Sequence, residues 1–511
     1  MKSDLKPSPG GYINGIKVIG TKWVYKVKTT VEGAFERFKA RLVCQGFNCP
    51  KDPYWSDTNF SPTPKMTTLK VLLSYLANVP DPSKWHAVTS DIRTAFLYAD
   101  VQDEVYIKQP KGFEIKGNEK AVFRLKKSLY GLRSAPKAWF YDEIAPALTK
   151  QGFVASKNDT CLFIKREKSM VTFALVYVDD ICFITSNRMM LKNVLDSLKK
   201  RYTFSSVSDL TGFLGLKISK TSDGSWSMSS EAYIESLIEE YELQDEAYKG
   251  IDTPWLVGPN GKLTKAMCPT TNEEILAAKK LPYCSVVGSL QYLVSTSRPD
   301  IAYAVSAASR YMTNYGPAHY KAVVRILLYL RNTKHRALIF RRNPSQKGGL
   351  ILEVFCDSDW GGEVDTRRSQ GGYICRMNGS TVECRSMLQK TVALSSTEAE
   401  FIIAAEAAKA VVWLRRLLGD LGCTQNHPTV IWEDNRAAIC ISNNPTSHHR
   451  TKHIQIRHFW LRELVSSKEV VLLPISTEDQ LADILTKNVG TRLYVKLRDS
   501  IMDATTLTRS K

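Results

Sequence analysis

Two adjacent carboxylates, Asp179 and Asp180, lie in the run from Ala174 to Phe183, which otherwise has the composition of a buried β-strand. Burying an unpaired carboxylate costs several kcal/mol, so the pair must be solvated, hydrogen-bonded or bound to cations. The apolar residues on both sides predict a β-hairpin with the pair at its tip. Taken alone, an ordinary hairpin turn explains the pair better than a catalytic site does.

A catalytic site at this hairpin needs a third carboxylate from elsewhere in the chain, and one candidate is Asp91. It ends an apolar strand in V-T-S-D-I-R-T-A-F-L-Y, before a turn of small residues. Carboxylates that converge at strand ends can hold two Mg²⁺ ions, which activate a 3′-hydroxyl and neutralise a triphosphate during in-line displacement. These residues therefore suit nucleotidyl transfer.

A second acidic residue in an apolar setting is Glu400, in the segment S-S-T-E-A-E-F. Ser395 and Glu398 match a capping box and predict that a helix begins here. At 100° per residue, Glu400 falls on the same stripe as Ile403 and Val411, whereas Glu398 lies on the polar side. Glu400 therefore needs a cation or another partner.

Further carboxylates flank the elements around this helix. Asp357 lies on or just after a strand in F-C-D-S-D-W, and Asp434 follows the strand V-I-W-E. Asp483 lies in the helix E-D-Q-L-A-D-I-L-T-K. Asp359 is a neighbour of Asp357 but is two residues past the position that would face a metal. By position alone, these residues fit both one shared site with Glu400 and a set of unrelated surface acids.

The elements that must position these residues change along the chain. The first third mixes short strands with helices predicted over Thr67–Ala77 and Ala135–Leu148, an α+β layout. From about Leu191 to Arg336 the pattern is mainly helical. After a polar break, strands come first and helices follow, which predicts a separate mixed α/β domain ending near Gly490. Its strands and long helix are predicted over residues 350–356, 372–377, 391–394, 396–418, 429–433 and 470–474.

The composition indicates a chain of about three domains, given 511 residues and a prior of roughly 150 per domain. Lys and Arg outnumber Asp and Glu by 70 to 51, a net charge of +19 that favours a polyanionic partner such as nucleic acid over a basic surface kept for solubility. The 11 cysteines lack zinc-site spacing and are expected to be reduced. With no membrane-length apolar run or signal segment, we expect a cytoplasmic or nuclear protein without membrane contact.

Short motifs connect the sequence to a known family. Seven segments between Thr21 and Asp180 occur in the order found in copia-type retrotransposon reverse transcriptases, and the resemblance to their Pol polyproteins extends from about Gly20 to Gly490. The segments are T-K-W-V-Y-K-V-K, E-R-F-K-A-R-L-V-C-Q-G-F, S-P-T-P-K-M-T-T-L, D-I-R-T-A-F-L, V-Y-I-K-Q-P-K-G-F, S-L-Y-G-L-R-S-A-P-K-A-W and Y-V-D-D.

The resemblance implies roles for the first group of carboxylates. Asp91, Asp179 and Asp180 would form the polymerase aspartate set and bind two Mg²⁺ ions, with Mn²⁺ as an alternative and with Asp91 and Asp179 as the more direct ligands. Phe96 would lie beneath the incoming sugar and exclude a ribose 2′-hydroxyl, which selects dNTPs. The alternative is that Phe96 is an ordinary core aromatic.

Other residues are implied in nucleotide binding. Tyr130 and Gly131 resemble the segment that approaches the nucleotide and template, where glycine permits close backbone approach. The alternative is a plain turn glycine. Lys39 and Arg41 lie two residues apart, so they would share one face of a strand and could clamp a triphosphate. Solvated surface charges are nearly as good an explanation for these two residues.

The second group resembles the four-carboxylate site of ribonuclease H. Asp357, Glu400, Asp434 and Asp483 occur in the order strand, helix, strand end and final helix, and the resemblance implies two Mg²⁺ ions that activate water to cleave the RNA strand of an RNA–DNA hybrid. The flanking segments D-S-D-W, T-V-A-L-S-S-T-E-A-E-F, R-T-K-H-I-Q-I-R and L-A-D-I-L-T-K resemble the copia-type version.

The implied fold is an α+β multidomain chain, a polymerase right hand of fingers, palm and thumb followed by a ribonuclease H-like mixed α/β domain. The partners would be an RNA template, a DNA primer, RNA–DNA hybrid and dNTPs. A truncated transposon relic that binds nucleic acid without catalysis is the alternative. The expected ranges are fingers and palm at 18–197 with the fingers shortened at the N-terminus, thumb and connection at 198–340, a linker at 341–349, the ribonuclease H-like domain at 350–490 and a tail at 491–511.

Overall fold

The computed structural model describes residues 2–3, 6–8, 11–29, 35–48, 60–102, 104–245, 251–256, 261–343, 349–443 and 455–502. Part of the expected linker (344–348), most of the motif R-T-K-H-I-Q-I-R and the end of the expected tail (503–511) lie outside these residues. No helix in this described part of the chain has both the length and the apolar character to cross a membrane.

The chain divides into two compact units. Unit 1 contains Met1–Pro64 and Lys84–Leu210, and unit 2 contains Lys65–Ser83 and Thr211–Lys511. The division differs from the expected ranges in two ways. Residues 65–83, which include helix α1 (Met66–Ala77), group with unit 2, and the ranges expected for the thumb, connection and nuclease form one unit.

Unit 1 is built mainly from strands. They are β1 (Lys2–Ser3), β2 (Tyr12–Ile13), β3 (Ile16–Lys17), β4 (Thr21–Thr29), β5 (Phe35–Cys44), β6 (His86–Ile92), β7 (Tyr106–Lys108), β8 (Val122–Arg124), β9 (Val154–Ala155), β10 (Leu162–Glu167), β11 (Met170–Tyr177), β12 (Asp180–Thr185) and β13 (Phe204–Asp209). Its helices are α2 (Ala135–Ala138), a π-helical segment (Trp139–Ile144), α3 (Ala145–Lys150) and α4 (Arg188–Lys199), with 3₁₀ turns at Gly46–Asn48 and Ala95–Tyr98.

The centre of unit 1 is a six-stranded antiparallel sheet in the order β13-β6-β12-β11-β10-β9. Apolar side chains of β10, β11 and β12 pack against α4 and the π-helical segment; Phe163, Phe183, Leu195 and Trp139 belong to this core. Strands β4 and β5 form a separate hairpin. The strand predicted from Arg41 to Phe47 corresponds to β5, which begins earlier, at Phe35, and ends at Cys44. A 3₁₀ turn follows it.

Unit 2 combines two sheets with helices. Its strands are β14 (Gly212–Phe213), β15 (Leu216–Lys220), β16 (Trp226–Ser229), β17 (Leu338–Phe340), β18 (Leu352–Asp359), β19 (Gln370–Met377), β20 (Ser380–Leu388), β21 (Thr429–Glu433) and β22 (Val470–Pro474). Its helices after α1 are α5 (Glu231–Glu240), α6 (Asn272–Ala278), α7 (Tyr283–Thr296), α8 (Ala302–Ser309), α9 (Pro317–Asn332), α10 (Ser396–Asp420), α11 (Arg436–Asn443), α12 (Gln455–Ser466), α13 (Asp483–Thr486) and α14 (Thr491–Met502). Further 3₁₀ turns are Lys265–Met267, Pro299–Ile301 and Thr477–Asp479, and Pro82–Lys84 spans the division between the units.

The larger sheet of unit 2 has the order β20-β19-β18-β21-β22. Strands β20, β19 and β18 are antiparallel, whereas β21 and β22 run parallel to β18. Helix α10 packs on β18 and β19, and residues of α7, α8, α9, α13 and α14 share one apolar core with Phe355 and Ile374 of the sheet. This shared core explains why the range from 211 to 502 forms one unit.

Several local predictions for unit 2 were wrong. Residues 391–394, predicted as the third strand of this domain, are a loop. The third strand is Ser380–Leu388, whose polar residues obscure the alternation of apolar and polar positions that predicts a strand. The stretch predicted as mainly helical contains the short strands β14 to β16, and its first part contains β13 of unit 1. Residues 491–502, expected to be a tail, form α14, which buries Leu497 and Ile501 in the core.

Candidate active sites

The first site is at the tip of the β11–β12 hairpin in unit 1. Tyr177 pairs with Asp180, so Val178 and Asp179 form a two-residue turn as predicted. Val178 has a φ of 54°, which is unusual for a β-branched residue. Its carbonyl accepts a hydrogen bond from Trp139 Nε1 at 2.6 Å, and this buried indole fixes the turn.

The structure brings Asp91 to this hairpin. Asp91 of β6 lies directly opposite Asp180 of β12, and the amide of Ile92 donates to the carbonyl of Asp179 at 2.9 Å. The hydroxyl of Ser205 on β13 donates a hydrogen bond to the Asp91 carboxylate. The three predicted aspartates therefore meet at one end of the sheet, although their sequence separation is about 90 residues.

The strand β5 supplies positive charge to the same place. Burial raises the pKa of Asp179, and Asp91 raises it further, whereas Lys39 and Arg41 act in the opposite direction. These two cations of β5 thus lie near enough to act on the carboxylate. A site with both signs of charge suits a metal-bound triphosphate.

An aromatic pair adjoins the carboxylates. The rings of Phe96 and Tyr130 are 4.7 Å apart, and the guanidinium of Arg41 lies 5.7 Å from the Tyr130 ring centre. Burial, followed by the charges of Asp179 and Asp91, raises the pKa of Tyr130 to about 12. Tyr130 therefore stays neutral at physiological pH.

Gly131 is where a close approach requires glycine. Its φ is 91°, and a Cβ there would overlap the carbonyl oxygen of Cys44 at the end of β5. The amide of Cys44 donates to the carbonyl of Tyr130 at 2.7 Å. The Tyr130–Gly131 segment therefore connects the β4–β5 hairpin to the site. A glycine that served only as a turn would not need this close contact with β5.

The second site is in unit 2, where the larger sheet, helix α10 and the residue after β21 come together. Ligand oxygens of Asp357, Glu400 and Asp434 all lie within 4.8 Å of one another, close enough to share a metal ion. Asp357 is near the end of β18, Glu400 is in the second turn of α10 and Asp434 follows β21. Among the described residues, Asp91, Asp179 and Asp180 form no such group of three.

Burial determines the protonation of this second group. Glu400 is only 5% exposed, and its Oε2 has no hydrogen-bond partner among the described residues. Burial raises the pKa of Glu400 well above its usual value, and the charges of Glu433 and Asp357 raise it further. Burial also raises the pKa of Asp357. An acceptor-only oxygen facing two carboxylates fits a divalent cation, because carboxylate oxygens are the ligands that Mg²⁺ prefers.

Asp483 lies at the start of α13 beside this group. Lys487, one turn later, places its Nζ 2.8 Å from Asp483 and 3.8 Å from Asp357, and the Thr486 hydroxyl donates to Asp357. Burial raises the pKa of Asp483 to about 7, with a further contribution from Asp357. Asp483 is therefore connected to the group through Lys487, although it is not within the 4.8 Å set.

The sequence analysis missed four residues that support these sites. Trp139 and Ser205 hold the hairpin turn and Asp91, and no local pattern identifies such distant contacts. The positions of Glu433 and Lys487 in the sequence could have identified them as neighbours of the second site. Glu433 precedes Asp434 on a strand and is fully buried, and Lys487 follows Asp483 by one helical turn. Burial raises the pKa of Glu433 to about 8.

Comparison with known proteins identifies the class of protein that this chain resembles. Residues 12–256 match the family described as reverse transcriptase (RNA-dependent DNA polymerase). This range contains Asp91, Asp179, Asp180 and the residues around them.

Individual relatives extend the match beyond that range. The chain is 38% identical to the Retrovirus-related Pol polyprotein from transposon TNT 1-94 of Nicotiana tabacum, over 93% of this chain and 35% of that protein. It is 35% identical to the Retrovirus-related Pol polyprotein from transposon RE2 of Arabidopsis thaliana, over 95% of this chain and 32% of that protein. It is also 31% identical to a transposon Ty5-1 protein of Saccharomyces cerevisiae, over 63% of this chain and 100% of that protein. The chain belongs to the family of copia-type retrotransposon Pol polyproteins, which confirms the predicted resemblance.

The chain spans about a third of the length of the two plant polyproteins, 35% and 32%. Among solved structures, a foamy viral protease-reverse transcriptase in complex with RNA/DNA hybrid aligns over 93% of this chain and 52% of that chain, with a TM-score of 0.44 and 14% identity.

Proposed function

We propose that this chain is an RNA-directed DNA polymerase that also has ribonuclease H activity. The polymerase part rests on the family match together with one geometric observation, the pairing of Asp91 with Asp180 beside the turn that carries Asp179. The nuclease part is a second function, and the convergence of Asp357, Glu400 and Asp434 favours it. The partners would be an RNA template, a DNA primer, dNTPs and RNA–DNA hybrid.

In the polymerase site, Asp91 and Asp179 would hold Mg²⁺, with Asp180 beside them and Mn²⁺ as an alternative ion. Bound metal supplies charge neutralisation for the triphosphate and the leaving group. Lys39 and Arg41 on β5 would bind the phosphates.

The aromatic pair would define the sugar position of the incoming nucleotide. Phe96 is 8% exposed, belongs to the core of unit 1 and packs against Tyr130, so the core holds the Phe96 ring in place. A rigid ring beneath the sugar would leave no space for a 2′-hydroxyl. Tyr130 and Gly131, fixed to β5 through Cys44, would position the nucleotide and the template.

In the nuclease site, Asp357, Glu400, Asp434 and Asp483 would hold the metal ions, which supply an activated water for phosphodiester hydrolysis. Thr486 and Lys487 orient two of these carboxylates through the contacts described above. We further propose that residues 18–197 act as fingers and palm, 198–340 as thumb and connection and 350–490 as the ribonuclease H-like domain. Helix α14 would complete the core of the ribonuclease H-like domain.

Two assays on the purified chain test this function. With poly(rA)/oligo(dT), dTTP and Mg²⁺, we expect primer extension, and with a labelled RNA–DNA hybrid we expect cleavage of the RNA strand only. A double variant, Asp179→Asn with Asp357→Asn, controls for contaminating host enzymes and should show neither activity. A wild-type chain that binds hybrid but neither extends nor cleaves would support the alternative of a catalytically silent relic.

A further inference from the structure

A cavity of about 390 Å³ adjoins the nuclease carboxylates within unit 2. Its walls come from the segment around Trp255, from helix α8 and the residues after it, and from the turn after β18. Lys487, which contacts Asp483, also lines the cavity and connects it to the carboxylate group. The volume is in the range of small-molecule binding sites.

The cavity walls carry more positive than negative charge. The cations are Lys262, Arg310 and Lys487, and the carboxylates are Asp359 and Glu363. Lys487 is paired with Asp483 and Asp357, so Lys262 and Arg310 are the cations left for a ligand, with Asp359 near both of them. Glu363 is already engaged, because its oxygens accept hydrogen bonds from the amides of Asp365 and Thr366. The balance favours an anionic ligand.

Arg310 has donor capacity that the protein does not use. Its Nη2 donates to Gln370 Oε1 at 2.6 Å, which fixes the guanidinium at the cavity wall. Its Nε is buried and has no hydrogen-bond partner among the described residues. A guanidinium held at the cavity wall suits a phosphate oxygen, because charge-assisted hydrogen bonds to phosphate are strong.

Aromatic rings form the apolar part of the wall. Trp255 and Tyr303 meet edge to face with ring centres 6.5 Å apart. Trp255 Nε1 donates to the carbonyl of Gly261 at 2.6 Å, and the Tyr311 hydroxyl donates to the carbonyl of Leu263 at 2.8 Å. Because the polar atoms of Trp255 and Tyr311 are engaged within the protein, these residues present ring carbons to a ligand. Such surfaces suit a planar base.

From this combination we propose that the cavity binds one unpaired nucleotide of a strand held at the nuclease carboxylates. The base packs against the aromatic wall, and the phosphate binds between Lys262 and Arg310. The inference rests on the proposed hybrid-cleaving function, because the hybrid is the strand that would supply the nucleotide. Binding of a nucleotide in the cavity does not itself require catalysis.

The first test is binding of adenosine 5′-monophosphate to the full chain by equilibrium dialysis in EDTA, where neither carboxylate set can bind nucleotide through a metal ion. We expect Lys262→Ala to weaken binding about tenfold, because one charge-assisted contact is lost. Lys262 is exposed, so this change should not affect folding. Lys265→Ala removes the same charge from an exposed position outside the cavity and should leave binding unchanged.

The second test compares, also in EDTA, a fully paired RNA–DNA hybrid with one that carries a single unpaired nucleotide. The wild-type chain and Lys265→Ala should bind the second hybrid more tightly, and Lys262→Ala should bind both equally. Equal effects of Lys262→Ala and Lys265→Ala, or binding of inorganic phosphate as tight as that of the mononucleotide, would overturn the proposal. Absence of hybrid cleavage by the wild-type chain would instead contradict the proposed function and leave the mononucleotide result interpretable.

Discussion

The two carboxylate groups of this chain solve the same electrostatic problem in different ways. At the hairpin tip, Asp91, Asp179 and Asp180 are each partly exposed, and Lys39 and Arg41 lie near enough to offset part of their charge. In unit 2, Asp357 and Glu400 are buried, and an oxygen of Glu400 has no donor among the described residues. The first group is partly solvated and has cationic side chains nearby, whereas the second needs either protons or a metal ion.

This difference indicates when each site binds metal. Mg²⁺ is commonly held by one or two carboxylates together with substrate phosphates, which fits the open hairpin site. Three carboxylates that already converge within 4.8 Å can bind a cation without substrate. We therefore infer that the nuclease site is a preformed cation site and that the polymerase site is completed by the incoming triphosphate.

The largest expected effects come from removing one charge at each site. Asp179→Asn should lower primer extension by about two to three orders of magnitude and change hybrid cleavage less than twofold, because the groups are in different units. Glu400→Gln should do the reverse. Single-turnover rates of both reactions on both variants are the measurement. Loss of both activities in either variant would contradict two independent sites.

The next effect concerns stability and pH in the absence of metal. Burial raises the pKa of Glu433 to about 8 and of Asp483 to about 7, so the folded chain holds protons that the unfolded chain has released. A raised pKa stabilises the folded state at low pH, and this stability is lost as pH rises from about 4.5 through about 8. For Glu433 the change across this range should be roughly 5 kcal/mol.

Thermal unfolding in EDTA between pH 5 and pH 8.5 measures this effect, and Glu433→Gln should flatten the profile. Added Mg²⁺ should restore stability most at high pH, where the carboxylates are ionised. Asp179→Asn is the control, since a change at the hairpin site should leave the profile of unit 2 unchanged. A wild-type chain that becomes more stable with rising pH in EDTA would contradict the burial of protonated carboxyl groups.

The smallest effect concerns sugar selection at the hairpin site. Phe96→Val should lower the preference for dTTP over UTP about tenfold, because a smaller side chain leaves space for the 2′-hydroxyl. The ratio of kcat/KM for the two nucleotides is the measurement. Phe140→Val is a matched control, since Phe140 is a buried aromatic of the same core but is not part of the site. Equal ratios in both variants would assign Phe96 to the core alone.

Local patterns were sufficient for features set by neighbouring residues. The hairpin at Asp179 followed from apolar runs on either side of two carboxylates, and the start of α10 followed from Ser395, whose side chain accepts the amide of Glu398 as predicted. The burial of Glu400 followed from helical periodicity. Asp91 was a candidate partner because it ends an apolar strand before a turn of small residues, and the family resemblance supported its partnership with the hairpin.

Features set by tertiary packing were not predictable from the sequence. Helix α1 was predicted as a helix, but its place in unit 2 depends on contacts such as the one from Lys70 Nζ to the carbonyl of Ser295, at 2.9 Å. The core shared by helices α7 to α9 and the larger sheet places the ranges expected for thumb, connection and nuclease in one compact unit, which no local pattern indicates. Helix α14 was missed because its four core residues are spread among charged ones.

The central claim is that the nuclease carboxylates bind metal without substrate and the polymerase aspartates do not. Calorimetric titration of Mg²⁺ into the full chain, without nucleic acid or dNTP, tests it directly. We predict one class of binding in the wild-type chain, retained in Asp179→Asn and lost in Glu400→Gln. Binding that survives Glu400→Gln, or that disappears in Asp179→Asn, would contradict this account.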